Sequence, residues 1–340
     1  MANLWADCGD RPTLVVVGAG FDPRSPVAYE HIAASAARPP DIVRIGLDAL
    51  ETDSVTEPLA ERNRERLEAA VERSGASIAE QSTTAIAAQS PGMVVAREFF
   101  ASGHTERYSQ VVIDVSALPR SWFFPLLRGM LELHDSGNWS GDLHVIACDN
   151  PRIDALVAGE GVQSPAALPG FADHAPVRDR VTCIWVPVIG EGAGARLEAL
   201  YSDIDAAEIC PVLPFPAADP RRCDDLLQEH RELLFDRARV EPRNLIYAAE
   251  SNPYDLYRTL SELNEDYAQA LKPLGETRMI LSAHSSKLLS IGVLLTAFEQ
   301  GLEVRHVSPA TYRVEDPAAL GPLADHNLLV DVWLTGEPYA

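Results

Sequence analysis

The stretch Thr13-Leu14-Val15-Val16-Val17-Gly18-Ala19-Gly20-Phe21-Asp22-Pro23-Arg24 carries the strongest strand signal in the chain and decides its reading. Leu14 to Val17 is an unbroken apolar run, the pattern of a strand buried on both faces rather than one. Glycines follow it where the chain must turn. Three more such runs lie in the first half, at Ile42–Gly46, Gln110–Val115 and Leu143–Cys148. Between them Glu57–Arg73 reads as a charged amphipathic helix, and Arg120–Leu133 as an apolar one whose first turn Pro119 suits.

The second half repeats the alternation. Strands are expected at Val181–Ile189, Glu208–Leu213, Leu245–Ala249, Arg278–Ala283 and Leu302–Val307. The helices between them are expected at Ala195–Ser202, Arg221–Arg239, Asp255–Leu271 and Lys287–Gln300. A last strand, Leu328–Leu334, closes the chain, with an antiparallel place at a sheet edge open to it. Periodicity is lost in the Gly-, Pro- and Ala-rich segment from Gly159 to Asp179, where a boundary is expected. The reading is an α/β protein of two Rossmann-like halves with mainly parallel sheets flanked by helices, residues 1–165 forming the N-terminal domain and 166–340 the C-terminal one. No fixed-period repeat points to a solenoid or propeller.

Composition narrows the ligand class. The 340 residues are 46% hydrophobic and 23% charged, the range of globular proteins. With 28 Lys and Arg against 50 Asp and Glu, the net charge of −22 disfavours bulk nucleic acid and anionic membranes as partners. Only Lys272 and Lys287 are lysines, so a lysine at a loop stands out. Arginine-rich composition follows from a GC-rich genome, with salt adaptation a second source of the acidity. The five cysteines, Cys8, Cys148, Cys183, Cys210 and Cys223, show no CxxC spacing, and the nine histidines show no HxxxH. Neither a disulfide framework nor a zinc site is expected. The opening residues lack a signal-peptide pattern and no apolar run is long enough to span a bilayer, so a cytoplasmic protein without membrane partner is expected.

Open parallel sheets bind ligands beyond the carboxyl ends of their strands, which directs attention to the strand-to-helix loops. In the first loop, Gly18 and Gly20 permit close approach of a ligand to the backbone, with Asp22 and Arg24 beside them. The spacing stops short of GxGxxG, and a tight turn capped by Asp22 is the plainer alternative. Gly20 is expected to hold either a positive φ or, by preference, a ligand contact. Asp114, at the end of its strand, is a candidate acid or base, followed by Ser116 and Arg120. Pro-Arg occurs five times, at Arg24, Arg120, Arg152, Arg221 and Arg243, and at least the first three follow strand ends. A cation in the first turn of a helix opposes the helix dipole, so an anion gathered by several of them would explain the pattern. Chance pairing of abundant Pro and Arg is the alternative.

In the second half, His284-Ser285-Ser286-Lys287 opens an apolar helix, and its hydroxyls, helix N–H groups and rare lysine suit a phosphate or carboxylate. It is not a Walker A loop. Glu250-Ser251-Asn252-Pro253-Tyr254 supplies a second candidate acid or base in Glu250, a polar reader in Asn252 and a stacking ring in Tyr254. The plainer alternatives are that Ser285 caps the helix with Lys287 in solvent, and that Asn252-Pro253 and Asp255 are ordinary turn and helix-start residues. Gly190-Glu191-Gly192-Ala193-Gly194 is off-register for a dinucleotide loop, and its acid would repel a pyrophosphate. There is no GxSxG nucleophile elbow.

Gly18-Ala19-Gly20 after its strand resembles the opening of SIR2-type NAD-consuming proteins, and Cys148-Asp149-Asn150 stands where that family has an Asn-containing strand-end motif. The likeness covers a small part of the chain. The serine expected soon after the glycines, the full Asn motif and a matching catalytic His are missing, so NAD consumption is one alternative.

The expected function is binding of a nucleotide or other phosphorylated small molecule in a crevice between strand-end loops. Gly18, Gly20 and Arg24 would line one side, and Ser285, Ser286 and Lys287 would hold anionic oxygens on the other. Hydrolysis of the nucleotide or cleavage of a glycosidic bond would fall to Asp114 and Glu250, and a non-catalytic nucleotide sensor is the competing class. No cofactor beyond a nucleotide is indicated; a homodimer is compatible with the sequence.

Overall fold

A computed structural model describes residues 11–47, 56–83, 91–154, 156–172, 181–320 and 327–336 of the chain. Cys8 and residues 173–179 of the expected boundary segment lie outside these. The chain forms two compact units, Met1–Ala158 with Arg313–Ala340, and Gly159–Tyr312.

In the first unit strands and helices alternate as β1 (Thr13–Gly18), α1 (Val27–Ser35), β2 (Asp41–Leu47), α2 (Glu57–Ser74), β3 (Ile78–Thr83), α3 (Pro91–Ala101), β4 (Gln110–Asp114), α4 (Arg120–Asp135) and β5 (Asp142–Asp149). The strand order is β15-β5-β4-β1-β2-β3, where β15 is Leu328–Thr335. All neighbours run parallel except β15, which is antiparallel to β5. Val15 and Val17 of β1 share one core with Tyr29 and Ile32 of α1 and Leu67 and Val71 of α2. Leu14 and Val16 are equally buried and point to the opposite face, which is why the run shows no alternation.

The return of β15 corrects the expectation that 166–340 forms one domain, and the units divide at 158/159 rather than 165/166. The physical reason lies in β5, which is buried along nearly its whole length and would otherwise leave an open apolar edge. Its His144 is fully buried, and Nδ1 lies 3.1 Å from Asp331 Oδ1 of β15 while the ring stacks on Trp333 at 4.8 Å. A buried imidazole needs such partners, and the last strand supplies Asp331 for Nδ1 while Gln110 of β4 lies 3.4 Å from Nε2.

The second unit adds β7 (Ala166–Ala167), β8 (Val181–Val188), α5 (Gly194–Asp203), β9 (Glu208–Ile209), β10 (Val212–Pro214), α6 (Arg222–Glu229), β11 (Ile246–Ala248), α7 (Pro253–Leu271), β12 (Glu276–Ala283), α8 (Lys287–Gln300) and β13 (Glu303–His306). Its order is β11-β10-β8-β12-β13-β7, again parallel but for the last strand. The expected strand Glu208–Leu213 is two pieces, because Pro211 has no N–H to give the ladder. The expected helix Arg221–Arg239 likewise ends at Glu229 and resumes as a wider turn over Glu232–Arg237. The chain passes between the units within β6 (Val157–Glu160) and β14 (Thr311–Val314), which pair with each other.

In the first unit β1 is central, with β2 and β3 on one side and β4 and β5 on the other; in the second unit β8 is central, with β10 and β11 on one side and β12 and β13 on the other. The reversal falls between β1 and β4 in the first unit and between β8 and β12 in the second. Such reversals are where doubly wound sheets open a crevice for ligands.

Candidate functional site

The loops after β1 and β4, and those after β8 and β12, flank the two reversal points, whereas the Glu250–Tyr254 loop follows the edge strand β11, three strands from β12. In the first unit, the turn after β1 is held by Asn63 of α2, whose amide donates to the carbonyls of Gly20 and Asp22, each at 2.9 Å. Asn63 is buried on the stripe formed by Leu59, Leu67 and Ala70, and a polar residue on that apolar stripe is a signal the sequence carries for this role. Gly18 is explained by packing: a Cβ there would come within 3.0 Å of the Ala117 carbonyl carbon in the loop after β4. Gly20 has a φ outside the left-handed region and nothing within 4 Å of a would-be Cβ, so of the two roles expected for it the positive φ is ruled out.

The anions that Arg24 faces are carboxylates of the protein itself. It is 7% exposed, with Nε and Nη2 on the Asp22 carboxylate at 3.0 and 2.7 Å and Nη1 on Asp154 at 2.8 Å. Burial opposes its charge, but the two carboxylates outweigh burial and raise its pKa. The dipole objection to a cation in this turn is therefore answered by carboxylates of the protein itself.

Asp114 lies at the carboxyl end of β4, fully enclosed. Oδ1 accepts from the Ser116 N–H at 2.9 Å and from the Ser116 hydroxyl, while Oδ2 has no hydrogen-bond partner among the described residues. Ser116 Oγ in turn accepts from the Cys148 N–H at 2.8 Å. Burial lifts the Asp114 carboxyl to about 7 against the two Ser116 bonds, with Asp22 adding to the rise and Arg24 countering it. Burial also pushes the Cys148 thiol up to about 12, which makes it unreactive. Asn150, the residue of the SIR2-like comparison, is buried; its Oδ1 accepts from the Arg152 and Ile153 N–H groups and its amide donates to Asn327. Arg120 begins α4 with intermediate exposure.

In the second unit, the loops after β8 and β12 meet backbone to backbone. The His284 N–H donates to Val188 O at 2.9 Å, and a Cβ on Gly190 would lie 2.7 Å from Ser285 Cα. The His230 ring nitrogen Nε2 lies 3.0 Å from Gly190 O, which only accepts, so that nitrogen carries the proton. The Gly192 N–H is taken by the Glu229 carboxylate at 2.8 Å, an internal anion where a phosphate would otherwise sit. The start of α8 is different in kind: Ser286 caps it by accepting the Leu289 N–H at 3.2 Å, Ser285 is buried beside it, and Lys287 is the first helical residue.

Glu250 and Asn252 have structural roles. Glu250 accepts from the Ala218 N–H at 2.8 Å and pairs with Arg222 at 2.9 Å, and Arg222 also reaches Glu191 at 2.8 Å. Asn252 is the N-cap of α7, accepting from Tyr254 and Asp255 N–H groups, while Tyr254 is exposed. Asp114 belongs to one unit and Glu250 to the other. A cavity of about 470 Å3 opens at the opposite edge of the first sheet, by the amino ends of β1, β4 and β5, with Arg11, Arg107, Tyr108, Trp139 and Asp142 in its wall. None of the sequence-derived site residues lines it.

The two loop glycines separate under substitution. Gly190→Ala is expected to cost about 2–3 kcal/mol, because backbone must move to admit the methyl group. Gly20→Ala is expected to stay within about 0.5 kcal/mol. Paired urea melts check this, and equal losses would contradict it.

No family model matches the chain, and no curated protein matches it. Among solved structures it is similar to the crystal structure of the cytoplasmic domain of a prokaryotic cation chloride cotransporter, at 12% identity and a TM-score of 0.26, over 92% of this chain and 98% of that chain. Among the described residues no helix is long and apolar enough to cross a membrane.

Proposed function

We propose that the protein binds a phosphorylated small molecule, most simply a nucleotide, at the β8/β12 reversal of the second unit, and that it senses this ligand rather than hydrolysing it. The observation that carries the reading is the start of α8. A 14-residue apolar helix begins at the reversal point, with Ser285, Ser286 and Lys287 gathered at the positive end of its dipole. First-turn N–H groups together with a lysine are the elements of an anion cradle.

The sensor reading is favoured over hydrolysis by Glu250. Its carboxylate is engaged by Arg222 and the Ala218 N–H, which leaves it poorly placed to take a proton from water. Arg24 drops out of the ligand set because its guanidinium is bound to Asp22 and Asp154.

Lys287→Ala is expected to weaken nucleotide binding about tenfold to a hundredfold, the worth of a charge-assisted hydrogen bond. Stability should change by about 0.5 kcal/mol or less, since Lys287 is only partly buried. Calorimetric titration of ATP, ADP, AMP and NAD into parent and variant is the test. Equal affinities in the two proteins, or release of phosphate at a rate expected of an enzyme, would overturn the reading.

A further inference from the structure

The cavity at the amino edge of the first sheet, about 470 Å3, falls within the range of pockets that enclose small ligands, about 300–1,000 Å3. Its wall comes from the entry to β1 and from the chain just before β4 and β5. Two rings lie in that wall with their polar atoms already engaged. The Trp139 indole N–H donates to Tyr108 O at 3.0 Å, and the Tyr108 hydroxyl donates to Asp41 Oδ2 at 2.7 Å. What the rings offer a ligand is therefore carbon surface. Trp139 is seated tightly, since a Cβ on Gly141 would collide with Ser109 O and with the indole.

The charges of the wall divide into two pairs. Arg11 and Asp142 are bound to each other, with Asp142 buried. Glu106 and Arg107 are exposed and consecutive on the helical turn His104–Arg107, where adjacent side chains diverge rather than meet. Arg107 is oriented by two groups of its own turn: Nη2 lies 3.0 Å from His104 Nδ1, and Cζ stands 5.5 Å from the centre of the Tyr108 ring. Burial, and then the nearby Arg107, lower the pKa of His104, so its imidazole is neutral and Nδ1 accepts from the guanidinium. A cation–π contact and a neutral acceptor position Arg107 without cancelling its charge. Among the described residues neither Glu106 nor Arg107 has an ion-pair partner.

We infer that this cavity binds an aromatic α-amino acid, its carboxylate on Arg107, its ammonium on Glu106 and its ring against Trp139 and Tyr108. A small zwitterion answers both uncompensated charges at once, whereas a polyanion would meet Glu106, Asp142 and the net charge of −22. A plain amine would leave Arg107 without an acid, and a plain carboxylate would leave Glu106 without a cation. Aromatic rings in the wall favour a third ring in the ligand. The site lies in the first unit and is independent of the nucleotide proposed for the second.

Calorimetric titration of the full chain compares L-phenylalanine with phenylpropionate, which lacks the ammonium, and with phenethylamine, which lacks the carboxylate. The parent is expected to bind L-phenylalanine at least about fivefold more tightly than either, the worth of one ion pair at a solvated rim. Arg107→Gln should weaken phenylalanine and phenylpropionate and leave phenethylamine unchanged. Glu106→Gln should weaken phenylalanine and phenethylamine and leave phenylpropionate unchanged. Both side chains are exposed, so the variants should fold, and circular dichroism checks it. Failure of the parent to bind L-phenylalanine, equal binding of the three compounds, or unchanged phenylalanine affinity in either variant overturns the inference.

Discussion

Asp114→Asn removes a pH dependence of stability that the parent should show between about pH 4 and pH 7. The Asp114 carboxyl sits at about 7 in the folded protein against an ordinary 3.8, because burial disfavours its charge. The folded chain therefore holds a proton that the unfolded chain releases over this interval, and stability falls as pH rises through it. Above the folded value both states are charged and the full loss remains. At about 1.4 kcal/mol per pH unit the loss is on the order of 2–4 kcal/mol. An asparagine cannot ionise, so the variant should equal or exceed the parent at pH 8 and lag behind it near pH 4. Urea melts across this range give the difference between the two proteins, in which the contributions of other carboxylates cancel. Parallel curves would show that Asp114 is charged at neutral pH and that the unpartnered Oδ2 is solvated.

Arg24→Met should be the most damaging change at the first reversal point. The guanidinium satisfies Asp22 and Asp154 and also counters the field that Asp22 exerts on Asp114. Removing one member of a buried ion pair leaves the other uncompensated, at a cost of about 3–5 kcal/mol. Asp154 is about half exposed and can turn to water, so most of the loss belongs to Asp22. Adding Asp22→Asn to Arg24→Met should therefore recover a large part of it. A double-mutant cycle in urea reads the coupling directly. Additive losses would mean that the pair contributes nothing to the fold.

The central strands were legible because burial on both faces leaves unbroken apolar runs, as in Leu14–Val17 and Val111–Ile113. Their order was not, since nothing in a run such as Val111–Ile113 says which strand lies beside it. The last strand shows the same limit. Its residues mark it as a strand, but its place beside β5, where Asp331 meets the buried His144 and Thr335 meets the Leu143 N–H, is a long-range pairing that a run of residues does not announce.

The loops after β1, β4, β8 and β12 are legible as strand-to-helix connections because a strand end followed by a helix start is visible in the sequence. The roles of their side chains were less visible. Arg24 was read as facing a ligand because the Pro-Arg repeats suggested a common purpose, whereas Asp22 two residues away and the distant Asp154 are its partners. Asn252 follows the plainer turn reading as the cap of α7, whereas α8 is capped by Ser286 rather than by Ser285, the residue the plainer reading names.

Hydrogen exchange of the full chain with and without saturating ATP tests the central claim most directly, because it reports where a ligand sits without assuming which side chains hold it. A nucleotide at the second reversal point should slow exchange at the backbone amides of 189–194 and 284–290 and leave the loops 19–25 and 115–119 of the first unit unchanged. Protection confined to the first unit, or no protection anywhere, would contradict the account.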